Sequence, residues 1–328
     1  MLIAGFAAAD ALRGHGHDVE RAGPTTTPLQ TTPTRLPGPQ PQAEAPRGWP
    51  VGTLQGSLVF TNANDCRLRV IGLAGGEERP LARFAGSCEL WAPPVGQRIA
   101  YALGPSSPDG FTPFKIADLG RPNADLGGFR ALFGVVLWSP DGQRIAWCGR
   151  RRTGFDLEIG GAARRLPRCP VAYTPDNRIA YAVGRRLIVE NKAVLTADGG
   201  ITFAKFLFDG SIAVDVDGER IVVYDPHGRR RLSFDLPESL QGRTPIMSPD
   251  GCAALFREGQ ESARIRLLNL GCFQGAAPPS FPGTDAAWSP DGRWVAVAGP
   301  AITFHEVLGG GRSASWPARA AQLAWRPR

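Results

Sequence analysis

Along most of the chain, apolar and polar residues alternate in short runs of four to seven, and turn residues interrupt the runs. Residues 137–147, LWSPDGQRIAW, show the unit: Val136 and Trp138 lead in, Ile145 and Trp147 lead out, and Ser139-Pro140-Asp141-Gly142 stands between them. Ser at the first position, Pro with its φ preset at the second and Gly at the fourth suit a type I turn. The stretch therefore predicts a β-hairpin. A serine beside an aspartate could suggest a nucleophile, but no histidine lies near to activate it.

The phrase recurs as WAPPVGQRIAY from Trp91, WSPDGQRIAW from Trp138, YTPDNRIAY from Tyr173, FLFDGSIAV from Phe206, MSPDGCAAL from Met247 and WSPDGRWVAV from Trp288, with a last copy, WRPR, at Trp325. The steps are 47, 35, 33, 41, 41 and 37 residues. Such a period belongs to propeller blades of four short strands. SSPDG at 106–110 has no aromatic strand leading into it and is not counted. In the unit at Phe206 the strands read ITFAKFL, SIAVDV, RIVVYD and RRLSF. The first blade opens at its second strand, SLVFTN at 57–62, so its inner strand is AQLAWR at the C-terminus. The expectation is one all-β propeller over residues 51–328, with seven four-stranded blades and a ring closed by the C-terminal strand pairing with the first blade. Closure of that kind removes exposed sheet edges. Six blades follow if the unit at Phe206 or Tyr173 is incomplete.

Composition agrees, with Gly 41 and Pro 30 to supply turns. The formal charge of +7 rests on 37 basic residues, of which three are Lys (Lys115, Lys192, Lys205) and the other 34 Arg. No basic run or basic-aromatic array accompanies them, so no nucleic-acid partner is expected. Residues 1–22 begin apolar, yet too briefly for the roughly 20 residues of a bilayer span, and without a basic leader region. They read as the remnant of a signal or membrane anchor that begins upstream of Met1. His15 and His17 lie in this segment as solvated tail residues. Residues 23–50, rich in Pro, Thr and Gln, read as a disordered linker.

An aromatic residue followed by Ser-Pro-Asp-Gly and a strand such as RIAW is the hallmark of WD-like propeller repeats of the TolB type. The chain resembles that family over residues 51–328, best at 138–147 and 288–297. It departs from the pattern at WAPPVG, YTPDN and FLFDG, and has no Trp-Asp dipeptide at a strand end. The resemblance implies a propeller that binds proteins, peptides or cell-envelope partners, and no particular reaction.

Six cysteines fall into three pairs, Cys66 with Cys88, Cys148 with Cys169 and Cys252 with Cys272, none at zinc-ligand spacing. Positions in the blades allow all three as disulfides, although fifteen connectivities exist on paper. Disulfides would place the protein outside the cytoplasm; free thiols in a cytoplasmic protein are the alternative. Arg150, Arg151 and Arg152, with Arg185 and Arg186, occupy matching loops of two successive blades and are candidate ligands for an anion. Asp215, Asp217 and Glu219 form the densest acidic stretch, but read as a hairpin tip and not as a calcium loop. His227 and His305 are isolated. The expectation is a monomeric, non-catalytic binding scaffold at the cell envelope, with no cofactor or metal, meeting the membrane only through an N-terminal anchor. The alternative is a hydrolase or lyase at the central channel.

Overall fold

A computed structural model describes residue 49 and residues 53–82, 88–93, 95–103, 110–121, 126–132, 136–149, 153–258, 263–271, 280–307 and 311–327. The residues 1–22 segment and nearly all of the 23–50 linker lie outside this set. The described strands form seven antiparallel sheets of four. Their inner strands are Ala320–Arg326, Leu90–Trp91, Val136–Trp138, Ala172–Tyr173, Ile201–Phe206, Ile246–Met247 and Asp285–Trp288, for blades one to seven. All seven anchor residues, Trp91, Trp138, Tyr173, Phe206, Met247, Trp288 and Trp325, sit on these strands. The blade at Phe206 is complete, continuing through Ile212–Val216, Arg220–Tyr224 and Arg230–Asp235, and so is the one at Tyr173. Seven blades result. Residues 106–110 fall between Arg98–Ala102 and Phe111–Asp118, the second and third strands of blade two, not at an inner-strand turn.

The ring closes as the repeat count requires: Ala320–Arg326 runs antiparallel to Ser57–Asn62, with Ser57 opposite Arg326 and Leu58 opposite Trp325. Blades stack face to face, so both faces of a middle strand are buried. In Ile212–Val216, Ile212, Val214 and Val216 pack toward blade four, while Ala213 packs toward blade six. Trp49 joins this core: its indole N–H donates to the Leu73 carbonyl at 3.0 Å, and its ring meets Phe304 and Trp316 edge-on.

The Ser-Pro-Asp-Gly turn shows why those residues recur. The Ser139 hydroxyl donates to Asp141 Oδ1 at 2.5 Å and accepts from the Arg144 N–H at 2.9 Å, while Asp141 Oδ1 also accepts from the Gln143 N–H at 3.0 Å. Ser248 with Asp250 and Ser289 with Asp291 repeat this geometry. Both side chains are thus consumed in turn closure and are not available for catalysis. Gly142 has φ +66°, and a Cβ there would meet the Val95 carbonyl oxygen at 2.5 Å.

The anchors also have a reason to be aromatic with a polar edge. Trp138 donates its indole N–H to the Trp91 carbonyl of the preceding blade at 3.1 Å, and Trp288 to that of Ile246 at 2.8 Å. Tyr173 reaches Asp156 of the preceding blade at 2.8 Å. Each of these three therefore packs a large ring and fastens its inner strand to the preceding blade.

Candidate functional site

Connections from the outer strand of one blade to the inner strand of the next lie on the face opposite the Ser-Pro-Asp-Gly turns, with the loops from second to third strands. Two disulfides brace this face. Cys66–Cys88 ties the second-to-third loop of blade one to the connection leading into blade two, with Cα atoms 4.6 Å apart. Cys148–Cys169 does the same between blades three and four, at 4.9 Å. Cys252 is also disulfide-bonded, while Cys272 lies outside the described residues.

Where the inner strands begin, a chain of hydrogen bonds runs along the mouth of the central channel. The Arg243 guanidinium, in the connection from blade five to six, donates to the Arg257 carbonyl at 3.1 Å. Arg257, near the end of the second strand of blade six, pairs through Nη2 with Asp285 Oδ1, and Asp285 Oδ2 accepts the Leu323 N–H at 3.0 Å. The Thr284 hydroxyl donates to the Ala321 carbonyl at 3.1 Å. Gln322 then accepts the Leu90 N–H on Oε1 at 2.6 Å, and its own N–H reaches Thr61 Oγ1 at 3.3 Å. The Thr61 hydroxyl donates to the Cys88 carbonyl at 2.7 Å, which brings the chain to Glu89.

Two members of this arc have chemistry to spare. Glu89 stands just before its inner strand with Oε2 buried and without a hydrogen-bond partner, and desolvation raises its carboxyl above the usual glutamate range. The Arg257 side chain is 53% exposed, so its guanidinium can meet a ligand while it holds Asp285. Asp285 is buried, and burial raises its carboxyl against the opposing pull of Arg257. A carboxyl raised by desolvation, a half-exposed guanidinium and a braced rim can bind a polar ligand or move a proton.

The sequence did not point to this arc, because its members come from blades five, six, seven, one and two with no fixed spacing. Of the candidates it did give, Arg150, Arg151 and Arg152 lie outside the described residues. Arg185 and Arg186 are exposed in the hairpin of blade four, with Arg186 paired to Val183 and Thr196. Asp217 sits at the hairpin tip with φ +57° and accepts the Gly200 N–H at 2.7 Å. Asp215 is buried, accepts the Thr202 hydroxyl at 2.8 Å and is raised by desolvation. His305 stacks on Phe281 and is lowered by burial. Among the described residues no cluster of His, Cys, Asp or Glu could hold a metal. Among the described residues, two cavities lie away from the mouth. One, of about 140 Å³, lies beside Gln55, Asp291 and Trp325 on the turn face; the other, of about 500 Å³, lies between blades two and three over Phe129, Trp147 and Phe155. The second is floored by packed rings, with Trp147 stacked on Phe155 at 5.4 Å and tilted by 31° against Phe129 at 4.5 Å. Neither brings together titratable groups in the way the mouth does.

No family model and no curated protein matches the chain. Solved structures do. One from Bacteroides uniformis ATCC 8492, named provisionally as a 6-phosphogluconolactonase, has a TM-score of 0.54 at 13% identity over 82% of this chain and 98% of its own. Another, from Bacteroides fragilis NCTC 9343 and named in the same provisional way, has a TM-score of 0.50 at 11% identity over 83% and 98%. At these identities the likeness shows the fold. It also corrects the expectation of a non-catalytic protein: the fold is shared with chains named as enzymes, so propeller architecture is no argument against catalysis. The TolB-type resemblance rests on the repeat residues alone. No helix among the described residues is long and apolar enough to cross a membrane.

Proposed function

We propose that this is an extracytoplasmic propeller at the cell envelope, tethered through its N-terminal segment, that binds a polar ligand or the polar side chains of a protein partner at the channel mouth. One observation carries this reading: the hydrogen-bonded arc leaves a buried Glu89 oxygen unpartnered and the Arg257 guanidinium half exposed on one rim. Buried polar groups are ordinarily satisfied, and a ligand hydroxyl or amide would complete Glu89. The two disulfides support an oxidising compartment and stiffen the loops around the mouth. The test is affinity capture from envelope extracts with the wild type and with Glu89→Gln/Arg257→Gln. A captured species lost with the double variant supports the reading; equal capture by both refutes it.

Glu89 favours a second reading at the same mouth, hydrolysis of a sugar lactone, in keeping with the names of the two fold neighbours. The Glu89 carboxylate would take a proton from the water that adds to the carbonyl carbon, Arg257 would face the carbonyl oxygen, and Glu89 would return the proton to the ring oxygen as its bond to that carbon breaks, giving the hydroxy acid. Lactone consumption by the wild type above the spontaneous rate, lost in Glu89→Gln, supports it. Consumption at the spontaneous rate excludes it.

A further inference from the structure

The residues just before the seven anchors form an aligned set. They are Leu90, Leu137, Ala172, Lys205, Ile246, Ala287 and Ala324, one from each inner strand. Six are apolar and one is an amine. These positions face the next blade at the inner edge: Leu137 packs with blade four, Ile246 with blade seven, Ala324 with blade two. Lys205 follows the rule, its Nζ donating to the Met247 carbonyl of blade six at 2.8 Å. No ion pair reaches it among the described residues. The charged group acting on it, Asp250, holds its Oδ1 against the Ser248 hydroxyl and the Cys252 N–H. Lys205 is still partly accessible to solvent.

Buried cations are normally paired, and this one has a single backbone acceptor for three N–H donors. From its place in an apolar collar we infer that Lys205 is a binding site for a carboxylate with an apolar tail, whose head supplies the missing counter-charge while the tail lies against Ile246 and the small side chains around it. The enclosure that creates the site also pulls the free ammonium down to about 8. A bound carboxylate reverses that pull, so affinity falls as pH rises past 8. This inference does not depend on the reading of the mouth, since it uses neither Glu89 nor Arg257.

The test is calorimetric titration of the full chain with hexanoate and 1-hexanol, which share a tail and differ in the head. The expected result is hexanoate binding at least tenfold tighter than 1-hexanol at pH 7, with the difference abolished in Lys205→Met and kept in Lys192→Met. Equal binding of the two probes, no hexanoate binding at millimolar concentration, or a preference that survives Lys205→Met overturns the inference. A second measurement avoids variants: amine acetylation of the wild type read by mass spectrometry, with Lys192 as the exposed reference. Hexanoate should protect Lys205 and leave Lys192 unchanged; equal acetylation of Lys205 with and without hexanoate overturns it.

Discussion

Deleting residues 320–328 removes the inner strand of blade one, and the cost can be worked from what that strand buries. Leu323 and Trp325 are 5% and 7% exposed. A leucine side chain contributes about 2 kcal/mol on burial, and a tryptophan burying about 200 Å² contributes about 5 kcal/mol at roughly 25 cal/mol per Å². Six residues of the strand pair with Ser57–Asn62. At about 1 kcal/mol net per ladder bond, those bonds add a similar amount. Together these terms amount to about 12 kcal/mol, close to the whole stability of a typical domain, about 5–15 kcal/mol. The loss also takes the Leu323 N–H from buried Asp285. A chain ending at Arg319 should therefore show no cooperative transition in scanning calorimetry. The milder Trp325→Ala should cost about 4 kcal/mol and lower Tm by about 8 °C. An unchanged Tm for the truncated chain would refute closure by this strand as the source of the ring's stability.

Other outcomes follow from single contacts. Reducing the disulfides should destabilise by about 3 kcal/mol for each loop of this length, read as a denaturation midpoint with and without dithiothreitol; coincident midpoints would show that the bonds contribute nothing. Arg257→Met should cost about 2 kcal/mol by leaving Asp285 buried without its cation, below the usual range because Arg257 is half exposed; adding Asp285→Asn should restore most of it, and a double variant no more stable than the single one would contradict the pairing. Glu89 has a folded-state carboxyl raised by desolvation, so its ionisation disfavours the folded state. The wild type should lose stability relative to Glu89→Gln as pH rises through the ordinary glutamate range and the raised folded value, with a constant gap above both; parallel Tm profiles at every pH would exclude a raised carboxyl. Trp288→Phe keeps the ring but leaves the Ile246 carbonyl without its donor, and should cost about 1 kcal/mol in urea; no change would mean water replaces the indole.

How far the sequence carried depended on whether the physics was local. Ser139, Asp141 and Gly142 close one turn within six residues, so their types and order are visible in a single line of text, and their spacing revealed the blades. Cys66 with Cys88 and Cys148 with Cys169 could be paired once the strands were placed, because both cysteines of each pair fell on one face. The mouth was hidden. Glu89, Arg257, Asp285 and Gln322 share one rim only because a closed ring brings together the starts of inner strands, and the end of one second strand, from blades far apart in sequence, and no period connects them. Lys205 was visible as one of three lysines, but its singularity appears only when seven inner strands are set in register. The acidic stretch at Asp215 was read by density alone, which could not separate the buried carboxylate from Asp217 at the tip.

The two faces of the ring are held by different bonds. On one, side-chain hydroxyls and carboxylates close the Ser-Pro-Asp-Gly turns on their own backbone, and Cys252 carries a disulfide just after one of them. On the other, cystine bridges join a loop to the next connection. A change of redox environment would therefore act most on the second side, loosening the rim around Glu89, and reach the turn side only at Cys252. Oxidation state becomes a control on how firmly the mouth keeps its shape, readable as faster amide exchange around Cys66, Cys88, Cys148 and Cys169 after reduction.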